Sequence, residues 1–217
     1  MRFIGDIHGK YLPYIKRARK SPDGHSIQVG DFGVGFGNDK VPNFEPHGLD
    51  PKKHRFIRGN HDNPTVCAKS PSWILDGTQE GDMYFLGGAE SIDQQYRIEG
   101  VSWWRDEELS QERMWTITSE FYYNKLKPRI MVTHDAPWSI CQKLFGYPWL
   151  KFETPSRTQQ MLDSILAYHK PYLHIFGHWH EDKDEVIDGT RFICLGELSY
   201  IDIDMNDLTK GEINVFR

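Results

Sequence analysis

Short apolar runs recur along the chain, and most of them stop abruptly on glycine, aspartate or histidine. Arg2–Ile4 is the first, Ser26–Val29 precedes Gly30 and Asp31, and Arg55–Ile57 leads into the sequence Arg58, Gly59, Asn60, His61, Asp62. Helix-like segments alternate with these runs: a Lys/Arg-rich stretch over Lys10–Lys20, a long candidate over Asp106–Lys127 closed by Pro128, and a further one over Arg157–Tyr168. Between Trp73 and Trp104 the runs MYFLGG and YRIEGVSWW alternate and are parted by Asp-Gly and Glu-Gly pairs, which predicts antiparallel strands with tight turns. Arg129–Thr133 and Leu173–Phe176 read as further strands, Val186–Met205 as two or three closing ones, and the Trp-, Pro- and Phe-rich segment after Thr133 as a loop. Strands alternating with helices at both ends, with hairpins in the middle, define an α/β layered architecture of mixed strand direction. With no internal repeat and no long linker, residues 1–217 are expected to form a single domain.

Charge and cysteine content narrow the class. Lysine plus arginine number 26 against 31 acids, a formal charge of −5, which gives no general attraction to nucleic acid. The three cysteines, Cys67, Cys141 and Cys194, form no CxxC pair or disulfide framework, so a reducing compartment is the simpler setting. No apolar run approaches the roughly 18 residues of a membrane span, and Asp6 and His8 interrupt any secretory leader. The expected location is the cytoplasm, with no membrane partner.

The chemistry lies where the strands end. Asp6 and His8 follow the first strand, Asp31 the second, and Asn60, His61 and Asp62 the third; His134 follows IMVT, and His178 and His180 follow HIF. In sheets of this kind ligands gather beyond the carboxyl ends of the strands. Gly5, Gly30, Gly59 and Gly177 each precede one of these residues, where the lack of a Cβ permits a sharp turn and close approach to an ion. In an extended segment residues two apart face the same way, so Asp6 with His8, and His178 with His180, can each share an ion. Seven N/O ligands (Asp6, His8, Asp31, Asn60, His134, His178, His180) exceed what one tetrahedral ion needs and suit two, with Asp31 as the bridge. Two divalent cations with two carboxylates and a bridging hydroxide leave the centre at about +1, suited to a phosphate ester. Mixed imidazole, amide and carboxylate donors fit manganese, favoured here, or iron or zinc, better than magnesium or calcium.

These motifs, D6-I-H8, G30-D31, G59-N60-H61-D62, H134 and G177-H178-W179-H180, resemble in order and type the signature of the calcineurin-like metallophosphoesterases. The resemblance implies a sandwich of two mixed β-sheets flanked by helices. It also implies that Asp6, His8 and His180 hold one ion, that Asn60, His134 and His178 hold the other, and that Asp31 bridges them. His61 would be an acid near the leaving group, oriented by Asp62, and the nucleophile a metal-bridging hydroxide attacking phosphorus in line. The second motif reads GDFGVGFG, without the second aspartate and the arginine of the Ser/Thr protein phosphatases, which favours the phosphodiesterase-like branch. Arg58, Arg97 and Arg105 are the candidates for gripping the phosphate.

Other polar and aromatic residues have plainer roles. His25, His47, His54, His169 and His174 are expected at the surface or as satisfied core residues, and Asp135 as a solvated neighbour or a support to the ligands. Trp103 and Trp104 are packing residues with a lesser case for substrate contact, and Phe145–Pro155 is a candidate rim or lid. The expected function is hydrolysis of a small phosphodiester or nucleotide-type substrate; the rivals are a protein phosphatase, a nuclease, and a non-catalytic metal-binding scaffold of the same fold.

Overall fold

The computed structural model of the chain describes residues 1–146 and 154–205 and the backbone of Val215–Phe216. Two sheets face each other. The first has the order β11 (Val215–Phe216), β10 (Tyr200–Ile203), β1 (Arg2–Ile4), β2 (Ser26–Gln28), β3 (His54–Phe56). The second has the order β4 (Thr78–Glu80), β5 (Met83–Leu86), β6 (Ile130–Thr133), β7 (Leu173–Phe176), β9 (Thr190–Cys194), β8 (Lys183–Ile187). β1, β2 and β3 are parallel, as are β5, β6, β7 and β9, whereas β4, β8, β10 and β11 run antiparallel to their neighbours. Parallel strands deliver their carboxyl ends to one edge, which positions the site.

Side-chain alternation builds the layers. Phe3, Ile27, Met83, Phe85, Ile130, Val132, Leu173, Ile175 and Ile193 point between the sheets into the central core. Their outward neighbours pack under helices: Ile4 and Phe56 meet α1 (Tyr11–Ala18) through Tyr14, Ile15 and Ala18. Tyr84, Leu86 and Met131 meet α3 (Gln111–Tyr123) and α5 (Arg157–Tyr168). The expected sandwich of two mixed sheets flanked by helices is what the chain forms.

Local chemistry sets the helix limits. α3 starts later than its sequence pattern suggests because Ser110 caps it, accepting from the Arg113 N–H, which leaves Leu109 outside. It ends before Pro128, with Lys125 in the left-handed region at φ 51°. α5 spans the expected residues and carries a reciprocal cap between Ser156 and Gln159. α2 (Pro64–Cys67) is a single turn capped by the Asn63 side chain, with proline at its first position.

Two segments differ from the sequence reading. Tyr96–Trp104 forms no strand: Gly100 takes φ 80°, the Ser102 hydroxyl accepts from the Ile98 N–H, and Ile98 and Val101 lie exposed. Its alternation has no sheet to bury against, so local turn bonds decide the shape. The expected loop after Thr133 contains α4 (Trp138–Leu144), which buries Ile140 and Cys141 against Phe176 and Phe192. Most of the candidate lid Phe145–Pro155 lies outside the described residues.

Candidate metal centre

All seven predicted ligands come to one edge of the sandwich. The His8 and His180 Nε2 atoms face each other at 2.9 Å, His180 Nε2 lies 3.3 Å from an Asp6 oxygen, and His8 Nδ1 lies 3.8 Å from an Asp31 oxygen. Ligand atoms of Asp6, His8, Asp31 and His180 all fall within 4.8 Å of one another. Beside them, the Asn60 carbonyl oxygen sits 3.0 Å from both His134 Nε2 and His178 Nδ1, and His134 Nε2 is 3.3 Å from Asp31. Asp31 therefore touches both groups.

Backbone conformation achieves the convergence differently from the extended spacing expected of the sequence. His8, Asp31, His178 and His180 all have positive φ, between 44° and 68°. Left-handed non-glycine residues carry strain and persist only where their surroundings over-determine them. Here the Asp31 carbonyl accepts from the N–H groups of both Ile7 and His8, and the His178 N–H donates to the Asp6 carboxylate. The glycines make room for ligands to approach each other. A Cβ on Gly59 would stand 2.1 Å from an Asp31 oxygen, and one on Gly177 would stand 2.3 Å from an Asp6 oxygen.

Electrostatics suit a cation. Asp6 and His134 are fully buried, Asp31 is 1% exposed and Asn60 4%. Burial opposes charge on His134, yet the Asp31 and Asp6 carboxylates outweigh it and lift its pKa to about 10. Burial likewise opposes ionisation of Asp31, but His134, His61 and His8 hold it well below the usual carboxylate range. Negative charge that grips a proton this firmly would grip a metal ion in the same place. His134 Nδ1 lies 2.9 Å from the Val29 carbonyl, the bond that commonly fixes a ligating imidazole and leaves its other nitrogen free. The donor set fits divalent cations bound through imidazole, carboxylate and amide oxygen.

Supports absent from the sequence reading complete this floor. The Asn60 amide N–H donates to Ser91, whose hydroxyl and N–H both donate to the buried Glu107 carboxylate. That chain turns the Asn60 oxygen toward the histidines. No spacing rule connects Asn60 with residues 31 and 47 positions further on, so nothing in the linear pattern marks them. Asp135 is buried rather than solvated; it accepts from the Trp179 indole N–H and thereby ties the fourth motif to the fifth.

His61 and Asp62 part company. Asp62 is fully buried and accepts from the N–H groups of Phe32, Gly33, Val34 and Gly59, pinning the second motif's loop to the third. Its oxygens are committed to the backbone, so it does not orient the His61 ring, contrary to the expectation. That ring stacks on Phe36 at 5.2 Å and 10°, meets His8 edge-on, and accepts from Arg97 at 3.0 Å. Burial, with a contribution from Arg97, lowers the His61 pKa to about 4.

The centre opens on a cavity of about 410 Å³ bordered by His61, Arg97, Glu90, Trp138, Gln159 and Trp179. Trp103 and Trp104 do not line it. His25, His47, His54, His169 and His174 lie outside it; His54 bonds Ser26 and His174 bonds Thr133.

The calcineurin-like phosphoesterase family profile matches residues 2–182, and the chain belongs to that family. No protein of curated function matches the sequence. Among solved structures, the phosphopantetheinyl hydrolase of Mycobacterium tuberculosis is similar with a TM-score of 0.56 at 15% identity, over 90% of this chain and 89% of that one. A candidate 5'-nucleotidase from Staphylococcus aureus is similar with a TM-score of 0.54 at 12% identity, over 99% of this chain. The match spans 52% of that nucleotidase, about half its length. At these identities the likeness concerns the fold. Among the described residues no helix is long and apolar enough to cross a membrane.

Proposed function

We propose that the chain is a dinuclear metal-dependent phosphoesterase that hydrolyses a small phosphodiester or nucleotide-type ester. The observation that carries the reading is the convergence of two donor groups, Asp6/His8/His180 and Asn60/His134/His178, on Asp31 beneath an open cavity. When bound there, two divalent cations, manganese in our reading, supply charge to polarise phosphoryl oxygens and acidify an attacking water. The residues do the rest. Asp31 holds the two groups in register, and the Glu107–Ser91–Asn60 chain keeps an amide oxygen rather than an amide nitrogen facing the centre. His61 stands on the cavity side as the proton donor to the leaving oxygen. It is neutral at pH 7, and an anionic phosphoryl group placed against it favours the protonated ring by plain electrostatics. We place the protein in the cytoplasm, supported by three cysteines that are all buried and unpaired.

The test uses purified protein loaded with manganese, with bis-p-nitrophenyl phosphate and p-nitrophenyl phosphate as substrates. The diester is expected to turn over faster, and His61→Ala to lose roughly 10²–10⁴-fold in rate while retaining both ions. Turnover of neither ester with both ions bound would assign a binding scaffold instead. Preference for the monoester would overturn the diester assignment, and loss of both ions in His61→Ala would make His61 a ligand.

A further inference from the structure

A phosphoester needs something besides the metals to hold its non-bridging oxygens, and the three candidate arginines have different surroundings. Arg58 is buried with its donors committed: Nε to Asp76, and Nη1 to the carbonyls of Asp106 and Glu107. Arg105 is 79% exposed, paired with Glu99, and outside the cavity. Arg97 borders the cavity, and its side chain is 15% exposed.

The orientation of Arg97 is informative. A guanidinium has two edges that can grip an oxyanion with parallel N–H bonds. One of these, Nε with Nη2, is bound to the two Asp93 oxygens at 2.6 and 2.7 Å. On the other edge, Nη2 reaches His61 Nε2 at 3.0 Å beside the cavity, and Nη1 has a long contact of 3.4 Å to the Ser102 carbonyl. Phe36, stacked on His61, lies 5.7 Å under the guanidinium and supports both groups. Asp93 thus fixes one edge of the fork and holds Nη2 beside the His61 ring.

Charge along the walls adds a second constraint. Among the described residues Arg97 is the sole lysine or arginine lining the cavity, while Glu90, Asp93, Asp135 and Glu181 also line it. Asp93 is paired with Arg97 and Glu181 with Lys183, so Glu90 and Asp135 are the wall carboxylates that oppose further negative charge on the substrate.

Building on the phosphoesterase reading, we infer that Arg97, held by Asp93, is the phosphate-binding residue, and that the substrate carries one phosphoryl group with an uncharged or cationic organic part. Arg97 contacts the substrate; Asp93 is a positioning residue acting through it.

Manganese-loaded wild type, Arg97→Ala, Arg97→Lys and Asp93→Asn separate the possibilities. A charge-assisted bidentate contact predicts a rise of about 10- to 100-fold, for Arg97→Ala, in both KM for bis-p-nitrophenyl phosphate and the calorimetric Kd for inorganic phosphate. Metal content should be unchanged. Lysine should recover only part of the loss because it lacks the fork, and Asp93→Asn should raise KM less than Arg97→Ala does. Unchanged KM and phosphate affinity in Arg97→Ala, or full recovery by lysine, would overturn the assignment. A wild type that binds phosphate through Arg97 but turns over no ester would defeat the phosphoesterase reading while leaving the anion site standing. For the substrate class, p-nitrophenyl phosphocholine and the p-nitrophenyl ester of thymidine 5'-monophosphate should give higher kcat/KM than diadenosine tetraphosphate. Equal or faster hydrolysis of the tetraphosphate would sink the single-phosphoryl claim.

Discussion

The floor of the site and its rim are built on opposite principles. The floor is buried except at His8, His178 and His180, comes from the ends of five strands of the two sheets, and is fastened by carboxylates bonded to backbone N–H groups. The rim is half-open, comes from Glu90, Ile92, Asp93 and Arg97 and from the start of α5, and is held by side-chain pairs such as Asp93–Arg97. Change in the floor disturbs a packed unit in which each member holds another. Change in the rim alters what the cavity accepts and leaves the sandwich intact.

That contrast can be broken most severely at Arg58. Its charge is buried against Asp76, which also accepts from the Gly87 N–H. Asp76→Ala strands that charge and should destabilise the fold by about 3–5 kcal/mol; a denaturant midpoint close to wild type would show the floor to be more tolerant than described. A milder cut is Ser91→Ala, which removes the group that turns the Asn60 amide. Supports of this kind are worth roughly 10–100-fold in metal affinity, so a competition titration with a chromophoric chelator should show weakened binding, with the melting temperature measured alongside to separate affinity from stability. A further effect is in pH dependence. His174 is buried beneath Thr133, and burial lowers its pKa from 6.5 to about 3. Unfolding therefore takes up a proton at His174: its contribution to stability is complete above pH 6.5 and declines toward pH 3, by about 1.4 kcal/mol per unit. His174→Gln should show a flatter loss of stability between pH 6.5 and 4.5 than wild type; parallel curves would mean that the ring titrates normally.

The same contrast explains what could be read from the chain. Strand ends announce themselves because apolar runs stop on Gly, Asp, Asn and His, and the layered fold follows from the alternation of strands and helices. The seven polar residues that converge on one edge were therefore legible in the linear pattern. Their conformations were not: extended spacing suggested same-face pairing of His178 and His180, whereas both sit in the left-handed region. The partner of Asp62 was also misjudged, because its neighbour in sequence is His61 while its hydrogen bonds go to the loop Phe32–Val34 and to Gly59. Along the rim, Tyr96–Trp104 alternates like a strand yet folds as turns, and the contact between Arg97 and His61 joins residues 36 apart with no periodic link. Three arginines looked equivalent in sequence; burial and pairing distinguish them.

The contorted peptides at His8, Asp31, His178 and His180 have a consequence for assembly. Each would relax in an unfolded chain, and ions seated among their side chains would oppose that relaxation at four points in three distant segments. Cations held there would act as keystones as much as reagents: they would lock β1, β2 and the turn after β7 together, so order in this corner of the molecule should rise and fall with the supply of metal.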